Sequence, residues 1–447
     1  MEQNYQSHYP THVADQQKRW ERALEAEDFM AALIHSGSPI QSFMDDYEYD
    51  FRPNPHFLSW LPLTRHADSA LLVVPGQKPV LFYYQPEDYW HLPPADPEAW
   101  WADHFEIEVV RDPLQWQKRL KKDLPDADLK LGDVAAIGDS PVLGELFDSK
   151  WLNPKGLITR IHLTRTRKTP YEVACMDASA RLAARAHVEA ERAFMEGCSE
   201  YEIHMRYLAA CRHTDAQLPY HNIVALNANS AVLHYQHREL RAPDQSLSFL
   251  IDAGCTFNAY TSDITRTYAR QPGEFAELIS AMDAMQRELT GKVCAGLDYK
   301  DLHLLTHRRI AELLETFKLI KVPAEEAVVT GLSGVFYPHG LGHFLGLQTH
   351  DVAGLIDNDG NDIDRPDGHP FLRLTRELEA GNVLTIEPGL YFIEPLLKKW
   401  RDEHDANDIN WSKVDELAPY GGIRIEDNVV VTEGGCDNLT RRAFAEL

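Results

Sequence analysis

Residues 337–350 read YPHGLGHFLGLQTH, the stretch of the chain that says most about its fold. It holds three histidines and three glycines: His339, His343, His350, Gly340, Gly342 and Gly346. Glycine lets a backbone turn tightly or approach a site closely, and imidazoles bind metals or move protons near neutral pH. A single histidine is more often structural than a metal ligand. The stretch therefore predicts a metal site only if further ligands occur elsewhere in the chain.

Four carboxylates at or near the ends of apolar, β-branched runs supply such ligands. They are Asp252 in SFLIDAG, Asp263 in YTSDITRTY, Glu387 in VLTIEPG and Glu426 in GGIRIEDNVVV. Carboxylates are rarely buried unless they are paired or bound to metal, so a Val or Ile is the ordinary residue at such positions. Four carboxylates with His343 form an oxygen-rich donor set that suits two bridged divalent ions such as manganese or cobalt. The set predicts metal-assisted hydrolysis.

The spacing of these acids predicts their local geometry. Asp252 and Asp263 flank a segment with Gly254 and Asn258, so a hairpin would bring the two aspartates side by side. In GIRIED, residues 422–427, the period of two places the arginine and the first acid on one face and both isoleucines on the other. Like charges this close cannot all ionise without cations, so a metal-free cluster should be strained and partly protonated.

The order of these motifs carries a family resemblance. The series DAG, an aspartate eleven residues on, HGLGH, IEPG and RIED resembles the dinuclear metallopeptidases of the pita-bread fold, which include methionine aminopeptidase, aminopeptidase P and prolidase. Residues 51–91, FRPNPHFLSWLPLTRHADSALLVVPGQKPVLFYYQPEDYWH, resemble the long bacterial Xaa-Pro dipeptidases, some of them called organophosphorus acid anhydrolases. The resemblance implies an α/β (α+β) chain with an N-terminal α/β domain and a pseudo-symmetric, creatinase/aminopeptidase-like catalytic domain.

The resemblance also implies a role for each site residue. Two divalent ions per subunit, manganese before cobalt or zinc, would be held by Asp252, Asp263, His343, Glu387 and Glu426. Asp263 and Glu426 would bridge the ions, with a hydroxide between them as the nucleophile and Glu387 relaying its proton. Four residues match positions that contact the substrate or orient a metal-binding carboxylate: His234, His339, His350 and Arg424. Tyr220 is expected to line the pocket.

A substrate-binding arginine would distinguish a dipeptidase from an aminopeptidase within this family. Arg373 lies fourteen residues before Glu387 and matches the arginine that grips the free carboxylate of the substrate proline in prolidases. Arg376 is a competing candidate, and a solvated surface arginine is the structural alternative. Three functions follow from the resemblance: an Xaa-Pro dipeptidase, an aminopeptidase P that takes longer peptides, or a binding protein that has lost catalysis. Hydrolysis of organophosphorus esters is expected only as a side activity.

Composition narrows the class of protein. The chain has 447 residues, 44 Lys and Arg against 69 Asp and Glu, and a formal charge of −25, which disfavours nucleic acid and anionic membranes as partners. The N-terminal residues lack the pattern of an export signal and no apolar run is long enough to span a membrane, so a cytoplasmic location is expected. The six cysteines are scattered, which predicts reduced core residues. A homodimer is expected from the resemblance alone.

Two domains are predicted, residues 1–163 and 164–447. In the first, helical spacing covers residues 13–35, two strands lie around residues 70–74 and 80–84 on either side of the turn PGQKP, and a βα pattern lies around residues 135–147. The second opens with a helix capped by Thr169, with Pro170 at its first position and Glu172 completing a capping box. Helix starts at Ser199 and Asp298 follow glycines in a faint internal repeat.

Overall fold

The computed structural model describes residues 5–112, 115–123 and 133–447. The chain divides into two compact units. The first runs to Arg165 and includes Thr169–Ala174, and the second comprises Thr166–Lys168 and Cys175–Leu447.

The first unit combines helices with a mixed sheet. Its elements are α1 (Tyr5–Ala26), β1 (Ala31–His35), α2 (Pro55–Leu58), β2 (Ala70–Val73), β3 (Val80–Tyr84), β4 (Glu106–Val110), α3 (Trp116–Asp123), β5 (Val134–Ile137), α4 (Pro141–Leu146) and α5 (Lys155–Arg165). Five of the described strands form one sheet in the order β4-β3-β2-β1-β5. The β1–β5 and β3–β4 pairs are parallel and the other two are antiparallel. Apolar side chains on one face of the sheet pack into a buried cluster.

The single helix predicted over residues 13–35 is wrong in its last part. The helix ends at Ala26, and residues 31–35, AALIH, form a buried strand inside the sheet. A short apolar run has no clear period, so its neighbours decide between helix and strand. β1 pairs with β2 on one side and β5 on the other, which satisfies its backbone groups. The strands around residues 70–74 and 80–84 and the βα pattern around residues 135–147 are confirmed.

The second unit carries the metal-ligand candidates. Its helices are α6 (Pro170–Glu196), of which the residues up to Ala174 are assigned to the first unit, α7 (Glu200–Cys211), α8 (Glu274–Thr290), α9 (Tyr299–Thr316), α10 (Ala324–Val329), α11 (Leu332–Phe336), α12 (Glu394–Glu403), α13 (Trp411–Leu417) and α14 (Leu439–Ala445). Its strands are β6 (Ile223–Leu226), β7 (Ser248–Asp252), β8 (Thr256–Phe257), β9 (Tyr260–Thr261), β10 (Thr265–Ala269), β11 (Val383–Ile386), β12 (Gly389–Tyr391), β13 (Gly422–Arg424), β14 (Asp427–Thr432) and β15 (Gly435–Asn438).

Two helix pairs in this unit begin in the same way. A glycine with positive φ precedes the second helix of each pair, Gly197 before α7 and Gly296 before α9. Two residues later Ser199 caps α7 with a complete capping box, and Asp298 caps α9 by accepting a hydrogen bond from the Lys300 amide. The predicted capping box at the start of α6 is also formed. The repeat seen in the sequence therefore corresponds to two similar helix pairs.

Each helix pair is followed by an antiparallel three-stranded sheet. The first sheet has the order β10-β7-β6, and the second has the order β11-β14-β15. The apolar side chains of the two halves form two large buried clusters. Of the helices that the structure describes, none is long and apolar enough to cross a membrane.

Candidate metal centre

The two aspartates of the candidate centre lie side by side on one hairpin. β7 ends at Asp252, the chain turns through Asn258 and Ala259 with positive φ, and Asp263 lies just before β10. β7 and β10 pair in antiparallel fashion. The hydroxyl oxygen of Tyr220 lies 2.8 Å from Asp252 Oδ1 and 2.5 Å from Asp263 Oδ1. The predicted hairpin is confirmed. The Tyr220 hydroxyl lies within hydrogen-bond distance of both carboxylates.

The two glutamates lie at breaks between paired strands. Glu387 separates β11 from β12, and Glu426 lies between β13 and β14. Because β11 pairs with β14 and β12 pairs with β13, the break at Glu387 and the break at Glu426 lie opposite each other in the paired strands. Thr265 joins this place to the aspartate hairpin. Its carbonyl accepts from the Glu426 amide at 3.0 Å, and its hydroxyl donates to Glu426 Oε2 at 2.8 Å.

His343 points one ring nitrogen at the carboxylates. Its Nδ1 lies 2.9 Å from the carbonyl oxygen of Phe344, which fixes the ring and leaves Nε2 facing the cluster. Nε2 lies 3.5 Å from Asp263 Oδ2 and 3.6 Å from Glu387 Oε1. A Cβ on the neighbouring Gly342 would overlap the backbone of β11, so only glycine lets the loop lie this close.

Burial sets the protonation of this cluster. It raises the pKa of Glu387 to about 7 and raises the pKa of Glu426 well above its ordinary value, with the charge of Asp263 adding to the second shift. Burial also raises the pKa of Asp252, against the opposing charge of Arg424. At Asp263 burial is outweighed by the hydrogen bond and charge of His343, so its pKa is lowered. Without cations the four acids cannot all be ionised.

The donor set fits divalent cations. Donor atoms of Asp263, His343 and Glu426 lie within 4.8 Å of one another. Glu426 Oε1 is buried and has no hydrogen-bond partner among the described residues, a costly arrangement for a carboxylate oxygen that a cation would relieve. Carboxylate oxygens with one imidazole suit manganese, cobalt or magnesium better than soft metals.

Models of known protein families match nearly the whole chain. Metallopeptidase family M24 matches residues 174–433, and the N-terminal domain of Xaa-Pro dipeptidase matches residues 7–163. The chain belongs to metallopeptidase family M24. The expected fold class, with an N-terminal α/β domain before a pita-bread domain, is thereby confirmed.

Curated relatives of this M24 metallopeptidase are similar from end to end. The Xaa-Pro dipeptidase of Stenotrophomonas maltophilia (strain K279a) is 45% identical and covers 98% of this chain and 97% of its own. The enzyme of the same name from Pseudoalteromonas translucida (strain TAC 125) is 43% identical, with 97% of each chain covered. Among solved structures, aminopeptidase P from Escherichia coli with the inhibitor Pro-Leu has a TM-score of 0.72 at 23% identity, covering 96% of this chain and 95% of that one.

Arg424 and His339 lie at the edge of the carboxylate cluster of this metallopeptidase. Arg424 Nη2 donates to Asp252 Oδ2 at 2.7 Å, and its Nη1 donates to the Tyr391 hydroxyl at 2.9 Å. His339 Nε2 lies 2.9 Å from the same hydroxyl, and its Nδ1 lies 3.9 Å from Glu387 Oε2. Burial and the nearby Arg424 charge lower the pKa of His339 to about 3, so its imidazole is neutral near pH 7.

The remaining candidates lie further out. The His350 ring centroid is 4.4 Å from that of His343, and burial followed by the charges of His343 and Arg373 lowers the pKa of His350 to about 4. His234 and Arg373 have exposed side chains. Arg376 is buried, and its guanidinium donates to Ile356 O and Asn358 Oδ1, so it is committed to the protein itself. Arg373 is therefore the better placed of the two arginines for a ligand.

Two contributors to the centre were missed from the sequence. Asn428 accepts a hydrogen bond from the Asp263 amide at 2.9 Å and donates back to the Asp263 carbonyl. Tyr391 joins His339 to Arg424. The signal for Asn428 was present, since it is a polar residue directly before the apolar residues VVV and lies two residues after Glu426. No sequence signal distinguished Tyr391 from a core tyrosine.

Proposed function

We propose that this M24 metallopeptidase is an Xaa-Pro dipeptidase, which hydrolyses the bond before the C-terminal proline of a dipeptide. The observation that carries the proposal is the convergence of four carboxylates and one imidazole in a single buried cluster. The relatives that are 43–45% identical over nearly their whole length bear this name, which supports the substrate class.

The proposed metal ligands are Asp252, Asp263, His343, Glu387 and Glu426. They would hold two divalent ions, and the hard oxygen donors favour manganese. The chemistry such ions supply is polarisation of a carbonyl oxygen and a water acidic enough to act as a nucleophile at neutral pH.

The surrounding residues orient these ligands. The Tyr220 hydroxyl holds Asp252 and Asp263 in one orientation, and Arg424 fixes the second oxygen of Asp252. Glu387 presents Oε1 toward His343 and Oε2 toward His339. One Glu387 oxygen can therefore serve as a ligand while the other accepts and returns the proton moved during hydrolysis.

Substrate contacts are assigned to the outer residues. Neutral His350 can donate a hydrogen bond to the reacting carbonyl or to the leaving group, because its pKa lies well below 7. His339 donates through Nδ1 to the Gly340 carbonyl and accepts at Nε2 from Tyr391, so it is assigned the role of orienting Arg424 through Tyr391. The exposed guanidinium of Arg373, whose charge is felt by His350, would bind the free carboxylate of proline. His234 is assigned a substrate contact on the same exposed side.

One substrate panel tests the function. Metal-stripped protein is assayed on an Xaa-Pro dipeptide, an Xaa-Pro tripeptide and a phosphotriester, with manganese, cobalt or zinc restored in turn. We expect no turnover without metal and preferred turnover of the dipeptide. Preference for the tripeptide would establish an aminopeptidase P instead, and inactivity on all three with metal bound would indicate a binding protein. Turnover of the phosphotriester measures the organophosphorus side activity.

The assembly and location of the protein remain predictions. A homodimer is expected, which sedimentation of the purified protein would test. A cytoplasmic location is expected, which fractionation of the cells would test.

A further inference from the structure

A second group of imidazoles lies away from the carboxylate cluster. His303 and His307 are four residues apart on α9, so they share one face of the helix. His369 reaches them from the loop after α11. The three ring centroids lie 4.9, 4.7 and 4.4 Å apart, and each residue offers a nitrogen within 4.8 Å of the others.

Several buried polar atoms of this group have no hydrogen-bond partner among the described residues. His303 Nδ1, His307 Nε2 and the Tyr337 hydroxyl are buried without a hydrogen-bond partner in the part of the chain that the structure describes. His303 is 1% exposed, His307 4% and Tyr337 0%. An unsatisfied buried polar atom costs free energy, and His307 Nε2, left unpaired among the described residues next to two other imidazoles, points to a missing ligand.

The other contacts of the rings suit metal ligation. His307 Nδ1 lies 3.1 Å from the Ser333 hydroxyl, which fixes the ring and frees Nε2. His303 Nε2 lies 3.0 Å from His369 Nδ1. Nitrogens bound tetrahedrally at ~2.1 Å from one zinc ion are about 3.4 Å apart, so small movements suffice.

The lowered pKa values of these three histidines exclude protonated imidazoles near neutral pH. Burial, with the charges of its histidine neighbours, lowers the pKa of His303 to about 2, and the same causes lower the pKa of His307 to about 3. Burial lowers the pKa of His369 as well. Neutral imidazoles are the ligand form for transition metals, and a site of nitrogens alone favours zinc over manganese or magnesium.

We propose that His303, His307 and His369 bind one zinc ion at a site separate from the carboxylate cluster. His369 is half-buried, so the fourth coordination position would face its more open side. The ion would fasten α9 to the loop that carries His369. The Tyr337 ring lies between the two sites, with its centroid 4.8 Å from that of His307 and 4.9 Å from that of His339. The ion would therefore have a structural role, joining α9 to the loop of His369 next to residues 337–350.

Zinc counting with matched variants tests the site. Metal-stripped full-length protein is dialysed against buffered zinc, and bound zinc per chain is measured for wild type, His369→Ala and the control His404→Ala. His404 is an exposed histidine stacked on Trp400, outside the group. The same comparison in an Asp263→Asn background separates this site from the carboxylate cluster. We expect His369→Ala to hold one zinc fewer than wild type and His404→Ala in both backgrounds.

Two further measurements keep the proposal falsifiable if a variant folds poorly. Ser333→Ala leaves all three imidazoles in place and should weaken zinc binding at this site by about 10 to 100-fold. Anomalous diffraction at the zinc edge from wild-type crystals should show a peak among the three rings. Equal zinc counts for wild type and His369→Ala, or no peak at saturating zinc, would overturn the proposal.

Discussion

The guanidinium of Arg424 donates to the carboxylate of Asp252 across 2.7 Å, and their side chains are only 5% and 14% exposed. A buried ion pair is weak evidence for net stabilisation, but removing one partner leaves an uncompensated charge. Arg424 is thus a permanent countercharge at the edge of the carboxylate cluster.

Arg424→Met should destabilise the metal-free protein by roughly 3 to 5 kcal/mol, because Asp252 would stay buried without its partner. Added manganese should recover more of the melting temperature in this variant than in wild type, since a bound cation replaces the lost charge. The matched control is Lys168→Met, which breaks the buried Lys168–Asp351 pair with its N–O distance of 2.9 Å. Equal recovery of the melting temperature in both variants would show that the Arg424 charge does not act on the metal centre.

His350→Ala tests whether His350 acts on the substrate and not as a ligand. Its ring packs edge-on against that of His343. We expect an unchanged metal count and a loss of turnover of about 10² to 10⁴-fold, typical of a lost acid, base or oxyanion group. Metal analysis and steady-state kinetics measure both. A reduced metal count would make His350 a ligand.

Arg373→Leu should lower kcat/KM on an Xaa-Pro dipeptide by about 10 to 150-fold. A guanidinium to carboxylate contact that the bound substrate shields from water is worth roughly 1.5 to 3 kcal/mol. A prolinamide or a neutral phosphotriester should lose much less, because neither offers the carboxylate. Arg308→Leu removes another exposed arginine, on α9, and serves as the control. Equal losses on all substrates would indicate general damage, and no loss would leave Arg373 as a surface residue.

The side chains of the carboxylate cluster could be picked out from sequence because each combines a rare residue with a clear local pattern. Asp252, Asp263, Glu387 and Glu426 interrupt apolar runs, and a two-residue period fixes which side they face. The contacts of Arg424 could not be predicted in the same way. Its partners Asp252 and Tyr391 lie on other strands, and only the folded chain brings them together.

Long-range contacts also explain the other misses. The strand β1 reads as the end of a helix until its two neighbours in the sheet are known. The spacing of His303 and His307 is visible in the sequence, but the third imidazole, His369, lies in a distant loop. Pairings across such sequence distances depend on topology, which periodicity does not encode.

The pH dependence of stability is predicted for His35 in the first unit. Burial lowers its pKa to about 4, against the opposing charge of Asp139, and its Nδ1 accepts a hydrogen bond from the Gly37 amide at 3.0 Å. The unfolded chain binds this proton below about pH 6.5 and the folded chain only below about pH 4. The contribution of neutral His35 is therefore full above about pH 6.5 and is lost as the pH falls toward 4.

His35→Asn keeps an acceptor for the Gly37 amide but cannot titrate. Urea unfolding at about pH 4.5 and pH 7 should show a smaller loss of free energy in the variant than in wild type, by up to roughly 3 kcal/mol. Identical losses in the two proteins would mean that His35 is not the titrating group.

The most direct test of the metal centre is the metal count and turnover of Asp263→Asn. Asp263 touches Tyr220 and faces His343, so its loss should abolish binding of at least one ion and nearly all Xaa-Pro hydrolysis. Asp177→Asn is the matched control, since Asp177 is a buried aspartate paired with Arg181 outside the cluster. The account predicts full metal content and activity in Asp177→Asn and neither in Asp263→Asn. An Asp263→Asn protein that held two manganese ions and kept the wild-type rate would contradict it.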